Sequence, residues 1–115
     1  MKNEESLFER LLGGSPTIRV IDFLLENKLF DYSKKDICRQ TGVSWNTLQT
    51  FWSSLKENGI VVFTRKSGKA DMFKLNPSNP VVKKLIELDN LLMKKSIERL
   101  PMQTEKMKIL AKSRN

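Results

Sequence analysis

Ser33-Lys34-Lys35-Asp36-Ile37-Cys38-Arg39-Gln40-Thr41-Gly42-Val43-Ser44-Trp45-Asn46-Thr47-Leu48, running on to Leu55 and Gly59, is the stretch from which the chain is best read. A small residue, Cys38, stands four before Gly42. Val43 follows the glycine, and Ser44 follows Val43. Two helices that cross steeply need a small side chain where they touch. The tight turn between them needs a residue that tolerates positive φ, which glycine does. Val43 is placed to plug the corner into a core. Ser44 is placed to accept a hydrogen bond from the first free N–H groups of a second helix. The pattern is that of a helix-turn-helix, which holds one helix against the body and presents the next outward.

Working outward, the spacing predicts a helix over about 45–58. Leu48, Phe51, Trp52 and Leu55 fall at i, i+3, i+4 and i+7 and form its buried face. Gly59 ends it. Ser33 caps the helix before it, which runs to about Gln40. Further upstream, Leu7, Phe8, Leu11 and Leu12 mark a short amphipathic helix over 4–12, which Gly13-Gly14 ends. Ser15-Pro16 opens another, to about Asn27, as cap and first position. Its apolar residues leave only Arg19, Asp22 and Glu26 as a polar strip, and residues 28–32 connect onward.

Downstream, Ile60-Val61-Val62-Phe63-Thr64 reads as a strand. Residues 65–71 read as a polar turn centred on Gly68, and Met72-Phe73-Lys74-Leu75 as the returning strand. Such a hairpin is marginal alone and must pack on the helices. Residues 76–80 break the chain before a long helix over about 80–100. Its apolar stripe is wider than a small body can cover, so the helix is expected to pair with its equivalent in a second subunit. A helix folded back on its own domain is the alternative. The expected fold is mainly α with a small β-hairpin wing. Its segments are an N-terminal helix in 1–14, a helix-turn-helix and hairpin body in 15–76, a dimerisation helix in 77–100 and a basic tail in 101–115 that is frayed or extends the helix. Leu7, Phe8, Leu11, Val81, Leu85, Leu88 and Leu92 are the expected dimer contacts.

Composition narrows the function. Lys plus Arg is 21 against 13 for Asp plus Glu, a formal net charge of +8, with a pI near 9.8. That balance favours polyanions, nucleic acid before anionic membrane. The excess is local. Residues 1–30 carry four basic and five acidic side chains, whereas residues 31–75 carry eight and four. Histidine is absent and Cys38 is the single cysteine. The commonest general base, the commonest metal ligand and any intrachain disulfide are therefore missing. Gly13-Gly14 lacks the further glycines and the lysine of a phosphate-cradling loop. No enzyme, metal or cofactor is expected. No apolar run approaches the ~18 residues of a membrane span, and no signal-peptide core follows Lys2-Asn3-Glu4-Glu5. The expected location is the cytoplasm, with the nucleoid.

Asn46, Thr47, Gln49 and Thr50 lie on the first two turns of the 45–58 helix, with Ser53 one turn further. Asn and Gln pair bidentately with adenine, and Thr offers a methyl to thymine. Lys56 is the only basic residue between Gly42 and Gly59, so guanine readout is poorly supplied. An A·T-rich site, or shape and phosphate contacts, would have to compensate. Trp45 either covers the end of the core or lies against DNA; Ser44 stands beside it. Trp52 is read as core. Arg65, Lys66 and Lys69 flank the hairpin tip, where they reach phosphates. Lys34 and Lys35 at a helix start oppose the macrodipole, which hints at a phosphate contact.

Taken together, residues 16–100 resemble the small winged helix-turn-helix transcriptional regulators of archaea and bacteria, of the broad MarR-like and TrmB-like kind. The resemblance is carried by Asp36 to Ser44, Thr47-Leu48, Leu55, Gly59-Ile60-Val61 and Arg65 through Leu75. The segment Phe30 to Ile37 looks especially like archaeal members. The resemblance implies sequence-specific binding of double-stranded DNA by a two-fold dimer, with any small-molecule effector left open. By motif, Asn46, Thr47, Gln49 and Thr50 match the base-facing positions and Arg65 to Lys69 the wing. Cys38 departs from the usual alanine, and Thr50 stands where many relatives carry arginine. Two alternatives remain at this point, a protein that coats DNA with little sequence preference and a winged helix used for protein contacts.

Overall fold

The computed structural model describes residues 5–98. Among them are five helices and a three-stranded antiparallel sheet. The helices are α1 (Leu7–Leu12), α2 (Pro16–Glu26), α3 (Lys34–Thr41), α4 (Trp45–Glu57) and α5 (Pro80–Glu98). The strands are β1 (Tyr32–Ser33), β2 (Val61–Ser67) and β3 (Ala70–Leu75), ordered β1-β3-β2. The helix-rich body with a hairpin expected from the sequence is present. The tail 101–115 and the end of the last helix at Leu100 lie outside the described residues.

Serines set the helix starts. Ser6, Ser15, Ser33 and Ser44 each accept from the backbone N–H three residues on, which answers one of the orphan donors at a helix N-terminus. Ser33 goes further, since Asp36 reaches back to its N–H in a reciprocal capping box. Gly42 takes the left-handed conformation at φ 75°, and its N–H closes α3 onto the carbonyl of Cys38. A side chain there would also meet the Arg19 guanidinium, which reaches across from α2 to the carbonyl of Thr41. Val43 enters the core as expected. Cys38 packs against that core, and burial pushes its thiol pKa up, away from reactivity.

The sheet departs from the sequence reading in two places. Tyr32 and Ser33 pair with Phe73 and Met72 as a third strand, where only a connection was expected. Two residues carry no periodicity to read, and Ser33 already had a role as a cap. The polar turn over 65–71 is also mostly strand. Lys66 pairs with Asp71 and Ser67 with Ala70 across the ladder, leaving Gly68-Lys69 as the turn. Gly68, at φ 62°, is the only residue of the pair at positive φ, the arrangement of a tight hairpin with glycine in first position. A register shift between Phe63 and Arg65 leaves Thr64 as a bulge, which re-aims the residues beyond it.

One core holds all five helices. Phe8 of α1, Leu24 and Leu25 of α2, Leu48 of α4 and Val82 of α5 belong to the same buried cluster. Trp52 is buried as expected, its ring edge-on to Phe73 at 5.2 Å. Asn79 joins α4 to α5. It donates to the carbonyl of Asn58 at 2.9 Å, and its Oδ1 accepts from Val81 N at 2.7 Å.

Two expectations are corrected by this packing. Phe8 is 0% exposed, so it belongs to the chain's own core and not to a dimer contact. Leu85 and Leu88 are partly buried against the same core from α5. Asp22, expected on a polar strip, is only 6% exposed because α1 docks over α2. Among the described residues its Oδ1 has no hydrogen-bond partner.

Burial pushes the Asp22 carboxyl from 3.8 up to about 6, against the pull of the Ser6 hydroxyl. Glu26, Glu9 and Asp89 add to the rise. The folded chain therefore keeps this proton to higher pH than the unfolded chain does. The stabilisation is complete below the unfolded value and is lost as pH rises through about 6, a loss of about 2–3 kcal/mol. Asp22→Asn is expected to remove this drop and to be more stable than the natural chain near neutral pH. Urea midpoints at acid and neutral pH check it; equal pH dependence in the two proteins would contradict the assignment.

Candidate nucleic-acid interface

The outer side of α4 is free of the body. Its apolar residues Leu48, Trp52 and Leu55 turn inward, which leaves Asn46, Gln49, Thr50 and Ser53 exposed. Thr47 is half-buried. Its N–H and hydroxyl both meet the Ser44 hydroxyl, at 3.1 and 2.9 Å. The Thr50 hydroxyl donates to the Thr47 carbonyl at 2.6 Å. The two threonines and Ser44 are therefore partly spent on holding the first turn, whereas no hydrogen bond ties down the Asn46 or Gln49 amide among the described residues.

Between α3, α4 and the hairpin lies a trough of about 560 Å³. Lys34, Lys35, Lys56, Lys66 and Lys69 line it, with Asp71 the one carboxylate. Trp45, Trp52 and Phe73 supply its aromatic floor. Trp45 is 44% exposed, and the Lys34 ammonium stands 4.9 Å from its ring centroid and 5.6 Å from that of Trp52. These are cation–aromatic distances. Partial burial holds the Lys34 ammonium below the ordinary lysine pKa, and the like charge of Lys56 adds to the shift. An anion entering the trough relieves that repulsion. A second hollow of about 320 Å³ joins Gln49 and Ser53 to Lys34 and Lys56. The polar face of α4 and the lysine trough are thus continuous.

The hairpin cations are not equivalent. Arg65 bonds Asp31 through Nε at 2.9 Å and through Nη2 at 3.1 Å, and Thr64 donates to the same carboxylate at 2.6 Å. Arg65, then Thr64, hold the Asp31 carboxyl down at about 2. Lys66 pairs with Asp71 at 2.7 Å. Lys69, in the turn itself, makes no ion pair with any described residue. The structure therefore gathers Lys34, Lys35, Trp45, Lys66 and Lys69 around one trough, and sets Arg65 in a clasp between the hairpin and the loop before β1.

Sequence reasoning missed two contributors. Lys56 was noticed as the only basic residue of α4, but its place in the trough was not. Its spacing from Trp52, one turn on, was the available signal. Asp31 lies far from Arg65 in sequence, and no local pattern announces their pairing.

Chemically the arrangement offers amide and hydroxyl groups on a protruding helix, lysine ammonium groups beside it, and indole faces for stacking. These are the means by which proteins meet phosphate backbones and base edges. Comparison with protein-family models, with curated proteins and with solved structures finds no match to this chain.

Proposed function

We propose that the protein binds double-stranded DNA as a winged helix-turn-helix regulator of transcription, acting with the nucleoid. The observation that carries this reading is the continuity of the exposed α4 face with the lysine trough. In this reading α4 lies in the major groove, where Asn46 and Gln49 address base edges. Lys34, Lys35 and Lys69 hold phosphates on either side, and β2–β3 is the wing. Trp45 lies against sugar or a thymine methyl.

The working form is a two-fold dimer. Leu11 at 57% exposure and Val81 at 55% stay open on α1 and α5, and Leu91 and Met93 on α5 are open as well. Leu91 and Met93 extend the interface beyond the residues first expected, and Leu7 and Leu92, half-buried, flank it. Among the described residues no helix is long and apolar enough to cross a membrane.

Selection of bound duplexes from a random pool tests the reading. The expected product is one two-fold sequence with half-sites about 34 Å apart or a multiple of it. An unenriched pool that is nonetheless bound would indicate a low-specificity DNA coat. No complex at low ionic strength would remove DNA as the partner and favour a protein-contact module. Within the selected site, Gln49→Ala is expected to cost about 1–3 kcal/mol of discrimination while leaving affinity for random duplexes nearly unchanged. Equal losses on both would take base readout away from Gln49.

A further inference from the structure

Five ammonium groups line the trough between α3, α4 and the hairpin, and its one carboxylate, Asp71, is taken by Lys66 at 2.7 Å. Lys34, Lys35, Lys56 and Lys69 therefore surround one hollow with no ion pair among the described residues. Two of them are held over its aromatic floor. Lys34 stands against the indoles of Trp45 and Trp52, and Lys56 lies 5.7 Å from the ring centroid of Phe73. Like charges gathered so closely repel, and an anion between them removes the cost.

A duplex is a convex partner that offers one charge per phosphate, strung out along each strand. A short chain of phosphates on one small molecule brings several charges to a single point. The hollow, at about 560 Å³, has the size of a small-molecule site. Its rings add a second requirement. Trp52 and Phe73 are each 4% exposed, whereas Trp45 is 44% exposed. Trp45 is thus the ring open to an occupant, and an indole face beside ammonium groups suits a nucleobase that arrives with phosphates attached.

We propose that the trough binds a nucleoside polyphosphate, its phosphates seated among Lys34, Lys35, Lys56 and Lys69 and its base stacked on Trp45. Binding itself needs no DNA. The regulatory consequence rests on the DNA reading: Lys34, Lys35, Lys69 and Trp45 serve both ligands, so nucleotide and duplex exclude one another.

Calorimetric titration of the full chain with adenosine triphosphate, in magnesium-free buffer and without DNA, tests the site. One saturable site per chain is expected, with a sub-millimolar dissociation constant. Inorganic tripolyphosphate is expected to bind about tenfold more weakly, and adenosine not to saturate. Trp45→Ala should erase the preference for the nucleotide over tripolyphosphate, a loss of about tenfold on the scale of one stacked base. Lys56→Gln should weaken both ligands by about tenfold, as for a lost charge-assisted hydrogen bond. Both side chains are exposed, and a near-natural urea midpoint shows each variant folded. Several weak sites or none, tripolyphosphate as tight as the nucleotide, or unchanged nucleotide affinity in either variant would each overturn the proposal. Adenosine triphosphate is also expected to displace a labelled duplex, and a complex holding both would overturn the shared seat. A chain that takes the nucleotide and no duplex would sink the DNA reading and leave this site standing.

Discussion

Replacing Lys34, Lys35 and Lys69 together by alanine is expected to lower affinity for duplex DNA about a hundredfold at low salt. The slope of log affinity against log salt should shrink by about 2.7, since each phosphate contact contributes ~0.9. The three residues lie around one trough and have no carboxylate partner among the described residues. Their charge is available to phosphates without first breaking an internal pair. Arg65→Ala serves as the contrast. Asp31 already answers the guanidinium, so this change is expected to alter affinity by no more than about threefold, in line with the small worth of exposed pairs. Binding measured by fluorescence anisotropy over a salt series separates these cases. An unchanged salt slope in the triple variant would show that phosphates lie elsewhere.

Phe8→Ala is expected to cost about 3–5 kcal/mol of folding stability, as for other fully buried aromatic side chains. The loss should be the same at every protein concentration, since Phe8 is buried within one chain. Leu11→Ala combined with Val81→Ala should behave in the opposite way. Both side chains are exposed in the single chain, so monomer stability should change by less than about 0.5 kcal/mol. Dimer dissociation, read by analytical ultracentrifugation, should shift to higher concentration. Urea unfolding at two protein concentrations distinguishes the two variants. A Phe8→Ala loss below about 1 kcal/mol would mean that α1 detaches before the rest unfolds.

Much of this architecture was readable because local chemistry determined it. Serine caps, Gly42 and the i, i+3, i+4, i+7 spacing of Leu48, Phe51, Trp52 and Leu55 act within a few residues, and the starts of α2, α3 and α4 and the α3–α4 turn followed from them, whereas α1 begins at Leu7 behind the Ser6 cap and not at residue 4. What escaped depended on distant partners. β1 exists because Phe73 and Met72 present a free strand edge to Tyr32 and Ser33. Asp22 looked like a surface acid because nothing in α2 reveals that α1 covers it. Phe8 looked like an interface residue for the same reason, since amphipathicity shows that a face is buried but not what buries it. In the candidate site, the types of residue on α4 were legible, whereas the pairing of Arg65 with Asp31 and the convergence of Lys34 and Lys56 on one indole-floored trough were not. Electrostatic partners of that kind are set by topology, which periodicity does not encode.

Asn79 gives α4 and α5 a common hinge pin. Its amide holds the last carbonyl beyond one helix while its oxygen starts the other. In the proposed dimer, a tilt of α5 would be delivered to the C-terminal end of α4 through this side chain, while Ser44 caps the opposite end. Under that proposal the partner on α5 would bear on the angle at which α4 is offered.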